Sequence, residues 1–301
     1  MPTALRIGLV LQGSLHQYWK FVQAGAKHAV AELAAAGTSV HLACEAPLRE
    51  DDREEQAQIL ERLIQDGVDG IVLAPFDSRS LVEPVERAAR DGIGCVVIDS
   101  PLNSAQIVSL IATDNRKGGA LAADRVGSLL DRGGKVLVLR YQKGVGSTEA
   151  REEGFAQRIR AYPAIEALLS EQYAGVTRDT AKLAAEGLLK KHPDVNAVFM
   201  SNEFSIVGML MALQGLQQAG KTVFVGFDAS EMYIDTMRYR RIHGLVVQNP
   251  FRMGELGVQA LVDHLAHRPV QKQIDIAPIL VTPENIDKPD VQNLLHLRSA
   301  H

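Results

Sequence analysis

Leu5-Arg6-Ile7-Gly8-Leu9-Val10-Leu11, followed by a helical pattern from Tyr18 to Ala35 and a second apolar run from Thr38 to Cys44, opens the chain as strand, helix, strand. The apolar runs are short and rich in β-branched residues, whereas the stretch between them repeats its apolar positions at helical spacing. The same alternation continues with a helix from Arg53 to Gln65, a strand from Gly70 to Leu73, a helix from Leu81 to Arg90 and a strand from Cys95 to Ile98. Strands joined by crossover helices lie parallel and are covered on both faces. An α/β lobe with a parallel sheet follows from this pattern.

The pattern then restarts. It predicts a helix over Lys117 to Leu130, a strand over Lys135 to Leu139, helices over Thr148 to Arg160 and Asp179 to Lys191, a strand over Ala197 to Met200, a helix over Phe204 to Gln217 and a strand over Val223 to Phe227. Turn signals at Asp131-Arg132-Gly133-Gly134, His192-Pro193-Asp194 and Ala219-Gly220 separate these elements. A strand at Leu245 to Val247, a helix from Arg252 to Leu265 and one late apolar run, Ile274 to Val281, complete the chain. One sheet holding every strand would be unusually wide, so the strands divide between two sheets, with late elements returning to the first lobe across a hinge.

The 301 residues suffice for two lobes with substantial cores, and 46% apolar with 23% charged residues excludes a disordered or disulfide-scaffold chain. With 32 Lys and Arg against 36 Asp and Glu and no basic block, nucleic acid is not an expected partner. No apolar run approaches the roughly 20 residues that span a bilayer, so the chain is not expected to be membrane-embedded. Cys44 and Cys95 lie in apolar runs and read as buried thiols, and no Cys/His cluster has metal-ligand spacing, so neither metal nor cofactor is expected.

In open α/β sheets ligands sit beyond the carboxyl ends of the strands. Here the strand exits are polar and aromatic: Gln12 to Trp19, Ala74 to Ser78, Asp99-Ser100-Pro101, Tyr141 to Arg151, Ser201-Asn202-Glu203, Asp228-Ala229-Ser230 and Gln248-Asn249. Carboxylates, amides, a guanidinium and aromatic rings can bracket a neutral polyhydroxylated molecule, the rings covering C–H faces while the polar groups meet hydroxyls. Enzyme motifs are missing: no GxGxxG follows the first strand, and neither GxSxG nor HExxH occurs. Gly215 to Thr222 spells a phosphate-loop pattern but runs from a helix into a strand, the reverse of what such a loop requires. Catalysis is not expected.

At these exits the chain resembles the sugar-binding group of type I periplasmic binding proteins and, more distantly, the effector domains of LacI-type regulators. The resemblance rests on Tyr18-Trp19 with Ala24-Gly25-Ala26, Ile98-Asp99, Ala112-Thr113-Asp114-Asn115 with Gly118-Gly119, Gly146-Ser147-Thr148 leading to Ala150-Arg151-Glu152 and Gly154-Phe155, His192-Pro193-Asp194-Val195, Ser201-Asn202-Glu203, and Val225-Gly226-Phe227-Asp228. It implies two Rossmann-like lobes joined by a three-segment hinge: residues 1–113 with 249–279, and 114–248 with 280–301. It also implies an extracytoplasmic monomer, its leader removed, that delivers a monosaccharide or polyol to the permease of an ABC importer; a regulator or membrane sensor is the alternative. A regulator needs a DNA-reading unit ahead of the first strand, and only four residues precede Leu5.

By the same resemblance Tyr18 and Trp19 stack on the ligand, Asp99 accepts from its hydroxyls, Arg151 clamps it from the second lobe, and Asn202, Phe227, Asp228 and Gln248 supply the remaining contacts. Ser100 and His16 stand where ribose binders carry Arg and Asn, and Val176 replaces a second-lobe aromatic, so the ligand is expected to differ from ribose, with His16 as a replacement donor. Each assignment has a plainer alternative: Trp19 as a packing residue, Asp99 and Asp228 as helix caps, Arg151 as a surface charge paired with Glu149, Glu152 or Glu153, and His16 as a solvated loop residue.

Overall fold

The computed structural model describes residues 4–296. The chain forms β1 (Leu5–Val10), α1 (Gln17–Ala35), β2 (Val40–Glu45), α2 (Arg53–Gln65), β3 (Gly70–Leu73), α3 (Val82–Arg90), β4 (Gly94–Ile98) and β5 (Ser109–Thr113). It continues through α4 (Asn115–Leu129), β6 (Gly134–Arg140), α5 (Gly146–Ile159), β7 (Ile165–Tyr173), α6 (Arg178–Lys191), β8 (Ala197–Met200), α7 (Glu203–Gly215), β9 (Val223–Phe227) and α8 (Glu231–Arg238). The last elements are β10 (Gly244–Val247), α9 (Pro250–Leu265), β11 (Gln273–Ile276), β12 (Ile279–Val281) and α10 (Pro289–His296).

Two compact units result, Met1–Thr113 with Asn249–Ile276 and Asp114–Gln248 with Ala277–His301. In the first, six strands run parallel in the order β11-β5-β4-β3-β1-β2. In the second the order is β12-β10-β9-β8-β6-β7, parallel except that β12 runs antiparallel to β10. Central strands β3, β4, β8 and β10 are buried at every residue, as a sheet covered on both faces requires.

The late apolar run is not one strand. Its first half, β11, pairs with β5, and its second half, β12, pairs with β10 in the other sheet. Pro278 separates them, lacking the N–H that would continue a ladder, so the third crossing falls at Ile276–Ala277 and not at 279. β5 and β7 are absent from the sequence reading. Strand β7, Ile165–Tyr173, pairs along one edge of β6 only, leaves Leu169 44% exposed and is built largely of Ala, Leu, Glu and Gln, so pairing overrides its propensity. The phosphate-loop-like stretch does run from the last residue of α7 into β9.

One helix pair in each unit meets through glycines on both helices. In the first unit a Cβ on Gly25 of α1 would lie 1.8 Å from the carbonyl oxygen of Phe251, and one on Gly254 of α9 would lie 1.9 Å from that of Val22. In the second, Gly119 of α4 meets the Arg151 carbonyl and Gly154 of α5 meets that of Arg116, at 2.0 and 2.2 Å from their would-be Cβ atoms. No side chain fits in such a gap.

Gly25→Ala is therefore expected to push α1 off α9 and to destabilise the protein by about 3 kcal/mol or more. Gly187→Ala, in α6 with nothing within 4 Å of its would-be Cβ, is the control and should stabilise by up to about 1 kcal/mol. Thermal or urea denaturation of the two variants checks this; equal stability would refute the contact's role.

Candidate functional site

Chain order and spatial order disagree at one place in each sheet. From β1 the chain moves outward to β2 and then returns to β3 on the other side of β1; from β6 it moves to β7 and returns to β8. The crevice beyond such a switch point is where ligands bind in open α/β sheets.

In the first unit the exits of β1 and β4 supply the polar groups. Tyr18, in the first turn of α1, donates from its hydroxyl to Asp99 Oδ1 at 2.7 Å, and that hydroxyl lies 3.3 Å from Met253 Sδ of α9. Ser100, 1% exposed, donates to Asp99 Oδ2 at 3.1 Å. The Asp99 backbone adopts φ 66 while its N–H donates to the Ile111 carbonyl of β5 at 3.0 Å. A non-glycine residue held in the left-handed region is a place where surrounding structure overrides local preference, which is common at binding sites. No helix starts at Asp99; the next, α4, is capped by Asp114, so the capping alternative drops out. His16 is the N-cap of α1: its Nδ1 accepts from the Tyr18 N–H at 3.1 Å, which leaves the ring proton on Nε2.

Trp19 is buried beside Tyr18. It is 4% exposed, packs in the core with Leu9, Val22 and Val72, and donates from Nε1 to Glu50 Oε1 at 2.7 Å. Its indole meets the Tyr18 ring edge-on at 4.9 Å between centroids. Position after β1 does not fix direction: consecutive residues on a helix point about 100° apart, so Tyr18 meets Asp99 at the β4 exit while Trp19 turns to the β2 side. A pocket of about 420 Å³ opens beside Trp19 on the β2 side, lined among others by Lys20, Gln23, Cys44, Glu45, Glu55 and Arg62. Neither Tyr18 nor Asp99 reaches it, so it is separate from the Tyr18–Asp99 group.

In the second unit Arg151 is 3% exposed and makes no surface pair with its neighbouring glutamates. Its Nε donates to Asn115 Oδ1 at 2.8 Å, its Nη1 donates to the Ser201 carbonyl at 2.9 Å and lies 3.7 Å from Asp228 Oδ2, and its guanidinium covers the Phe227 ring at 3.8 Å. Phe227 is fully buried, its ring against Gly118 and beneath the guanidinium, so it supports Arg151 and exposes no face of its own. Asp228 mirrors Asp99: φ is 83, its N–H donates to the Val246 carbonyl of β10 at 2.8 Å, and Gln248 Nε2 donates to its Oδ1 at 2.6 Å. The cap of α8 is Ser230, so Asp228 caps nothing. Asn202 is the N-cap of α7: its Oδ1 accepts from the Ser205 N–H at 3.1 Å and from the Ser205 hydroxyl, which turns the amide nitrogen to other partners.

Three positions outside the sequence-derived set belong to this machinery. Asn115 and Ser201, quoted above only within motifs, hold the guanidinium. Gln56, 2% exposed, donates to the carbonyls of Leu11 and Ala74 and accepts from the Phe76 N–H, tying together the exits of β1 and β3. A glutamine in an otherwise charged first helical turn carries no sequence signal of such a role. Both cysteines are free; burial pushes the Cys95 thiol up to about 12, and the half-buried Cys44 thiol is raised for the same reason. His28, Glu32 and Glu255 bring possible metal-ligand atoms within 4.8 Å of one another across α1 and α9, but Glu255 is already bound by Arg252 at 2.7 Å. No helix among the described residues is long and apolar enough to cross a membrane.

The periplasmic binding protein domain profile matches residues 7–269. The ribose import binding protein of Bacillus subtilis is 32% identical over 235 residues, covering 76% of this chain and 73% of that protein. The D-allose-binding periplasmic protein of Escherichia coli is 26% identical over 93% of this chain and 89% of its own. Among solved structures, an ABC transporter solute-binding protein from Agrobacterium vitis with bound D-fucose superposes with a TM-score of 0.88 at 30% identity, covering 96% of this chain and 99% of that one.

Trp19→Ala is expected to lower the stability of the sugar-free protein by about 3–5 kcal/mol, the range for emptying a buried aromatic site. Trp19→Phe should recover much of this, lacking only the bond to Glu50. Denaturation without ligand measures both; an unshifted midpoint for Trp19→Ala would return the indole to a role at the ligand.

Proposed function

This chain belongs to the periplasmic binding protein domain family, and on that premise we propose that it binds one neutral monosaccharide or polyol for an ABC importer. The matched aspartates carry the reading. Asp99 and Asp228 each follow a buried strand, each has positive φ, and each is oriented by side chains that donate to its carboxylate. Carboxylates held in place with a guanidinium nearby are acceptors and donors for hydroxyls at fixed angles, which is the recognition that a sugar requires. Tyr18 supplies an aromatic face beside Asp99, Arg151 donates, Phe227 backs the guanidinium, and His16 Nε2, Asn202, Ser100 and Gln248 complete the set. The relatives named above are import or periplasmic binding proteins, which supports an extracytoplasmic monomer whose partner is a transporter permease and which binds without turnover.

Two measurements test this. In a thermal-shift panel of D-ribose, D-allose, D-fucose, D-tagatose, D-arabinose and myo-inositol, a cognate ligand at about 100 times its Kd should stabilise the fold by about 2.7 kcal/mol, a rise of several degrees. No shift with any member would overturn the sugar reading. For the best member, Asp228→Asn should weaken binding by about 1–3 kcal/mol in calorimetry, measured on the folded fraction of the variant. Asparagine tolerates positive φ, so this variant removes the carboxylate without adding backbone strain.

A further inference from the structure

We propose that Glu152 is a positioning residue for Arg151, acting through Ser201 to aim the guanidinium at the ligand; the proposal deepens the sugar-binding reading and rests on it. Glu152 follows Arg151 in α5 and is 3% exposed. Its Oε1 accepts from the Tyr141 N–H and from the Ser201 hydroxyl, both at 3.0 Å, and its Oε2 accepts from Arg140 Nε at 3.0 Å. Tyr141 is the first residue after β6 and Ser201 the first after β8, so one buried carboxylate ties together the two strand exits that bound the switch point of this unit. The Ser201 carbonyl in turn accepts from Arg151 Nη1. Releasing Ser201 therefore releases one of the two hydrogen-bond acceptors that fix the guanidinium, the other being Asn115.

The first unit contains a counterpart to this clasp with the opposite hydrogen-bond polarity. There Gln56, from a helix at a different place in the topology, spans the exits of β1 and β3 with bonds of 3.0, 2.9 and 3.1 Å to Leu11, Ala74 and Phe76. There the amide nitrogen joins the exits by donating to two carbonyls, whereas Glu152 joins its exits by accepting at both on Oε1. A glutamine at 152 keeps that oxygen as its amide oxygen, so both exit bonds can persist, and the charge of Glu152 serves its pairing with Arg140. In the same position the Arg140 guanidinium lies 4.9 Å over the Tyr173 ring with 30% of its side chain exposed, a contact that does not depend on the charge of Glu152.

Glu152→Gln should therefore keep the clasp and Glu152→Ala should lose it. The first readout needs no sugar: in ¹⁵N-labelled protein, the Arg151 Nε–H cross-peak, assigned by its loss in Arg151→Lys, should hold its position in Glu152→Gln and shift or broaden in Glu152→Ala. The second uses the panel sugar with the largest thermal shift. Glu152→Ala should bind it about tenfold or more weakly and Glu152→Gln within about threefold of wild type, whereas in an Arg151→Lys background Glu152→Ala should add less than about twofold. An unmoved cross-peak in Glu152→Ala, or an undiminished loss in the Arg151→Lys background, would overturn the role. Should Glu152→Ala fail to fold, Ser201→Ala removes only the hydroxyl and should move the same cross-peak; an unmoved peak there overturns the role equally. A wild type that binds no sugar would defeat the sugar reading, while the cross-peak still decides whether Glu152 positions Arg151.

Discussion

Backbone contact between paired helices is the constraint from which both half-sites follow. α1 with α9, and α4 with α5, meet through reciprocal glycines that leave no room for a methyl group. At that separation a side chain on one helix reaches the other within a single hydrogen bond or contact. Tyr18 of α1 therefore meets Met253 of α9, and Arg151 of α5 reaches Asn115 of α4. Helices packed at the ordinary 8–10 Å through larger side chains would carry these groups apart, and neither the phenol nor the guanidinium would be held. The sheets place the strand exits; the glycines bring the side chains at those exits within contact of one another.

Much of this was legible in the sequence because strand exits are marked by composition. A buried parallel strand is a nearly continuous apolar run, so the first polar residues after it, Asp99, Ser201 and Asp228, stand out without any structure. Three kinds of information were not in the pattern. Direction is one: Tyr18 and Trp19 are adjacent letters, yet one faces Asp99 and the other the core. Pairing is another, since β7 and the division of Ile274 to Val281 depend on which strand lies alongside. Long-range polar ties are the third, because nothing local marks Gln56 as the partner of Leu11 and Ala74, 45 and 18 residues away.

The positive φ at Asp99 and Asp228 joins these levels. Each residue leaves a buried strand, and its N–H must find an acceptor or remain an unsatisfied buried donor. In both units that acceptor is a carbonyl of the next strand, Ile111 or Val246, and reaching it turns the backbone into the left-handed region. Aspartate is among the few side chains that tolerate this. Side-chain identity at these exits is thus selected twice, by backbone geometry and by the chemistry of the crevice, and an asparagine or glycine would satisfy only the first.

Charge decides the class of ligand that such a site favours. Arg151 is nearly excluded from water, and a guanidinium there is tolerable only because it is compensated: an aromatic face below, two neutral acceptors, and Asp228 at 3.7 Å. The Arg151–Asp228 group consequently presents oriented donors and acceptors with no surplus of positive charge. An anionic ligand such as a sugar acid would have to displace Asp228 from Arg151 or lie close to an unneutralised carboxylate, losing either way more than its own hydrogen bonds return. A neutral polyol meets no such penalty. Its hydroxyls both donate and accept, so they can pair with carboxylates and N–H donors that the protein already holds in place, which lowers the ordering cost of binding.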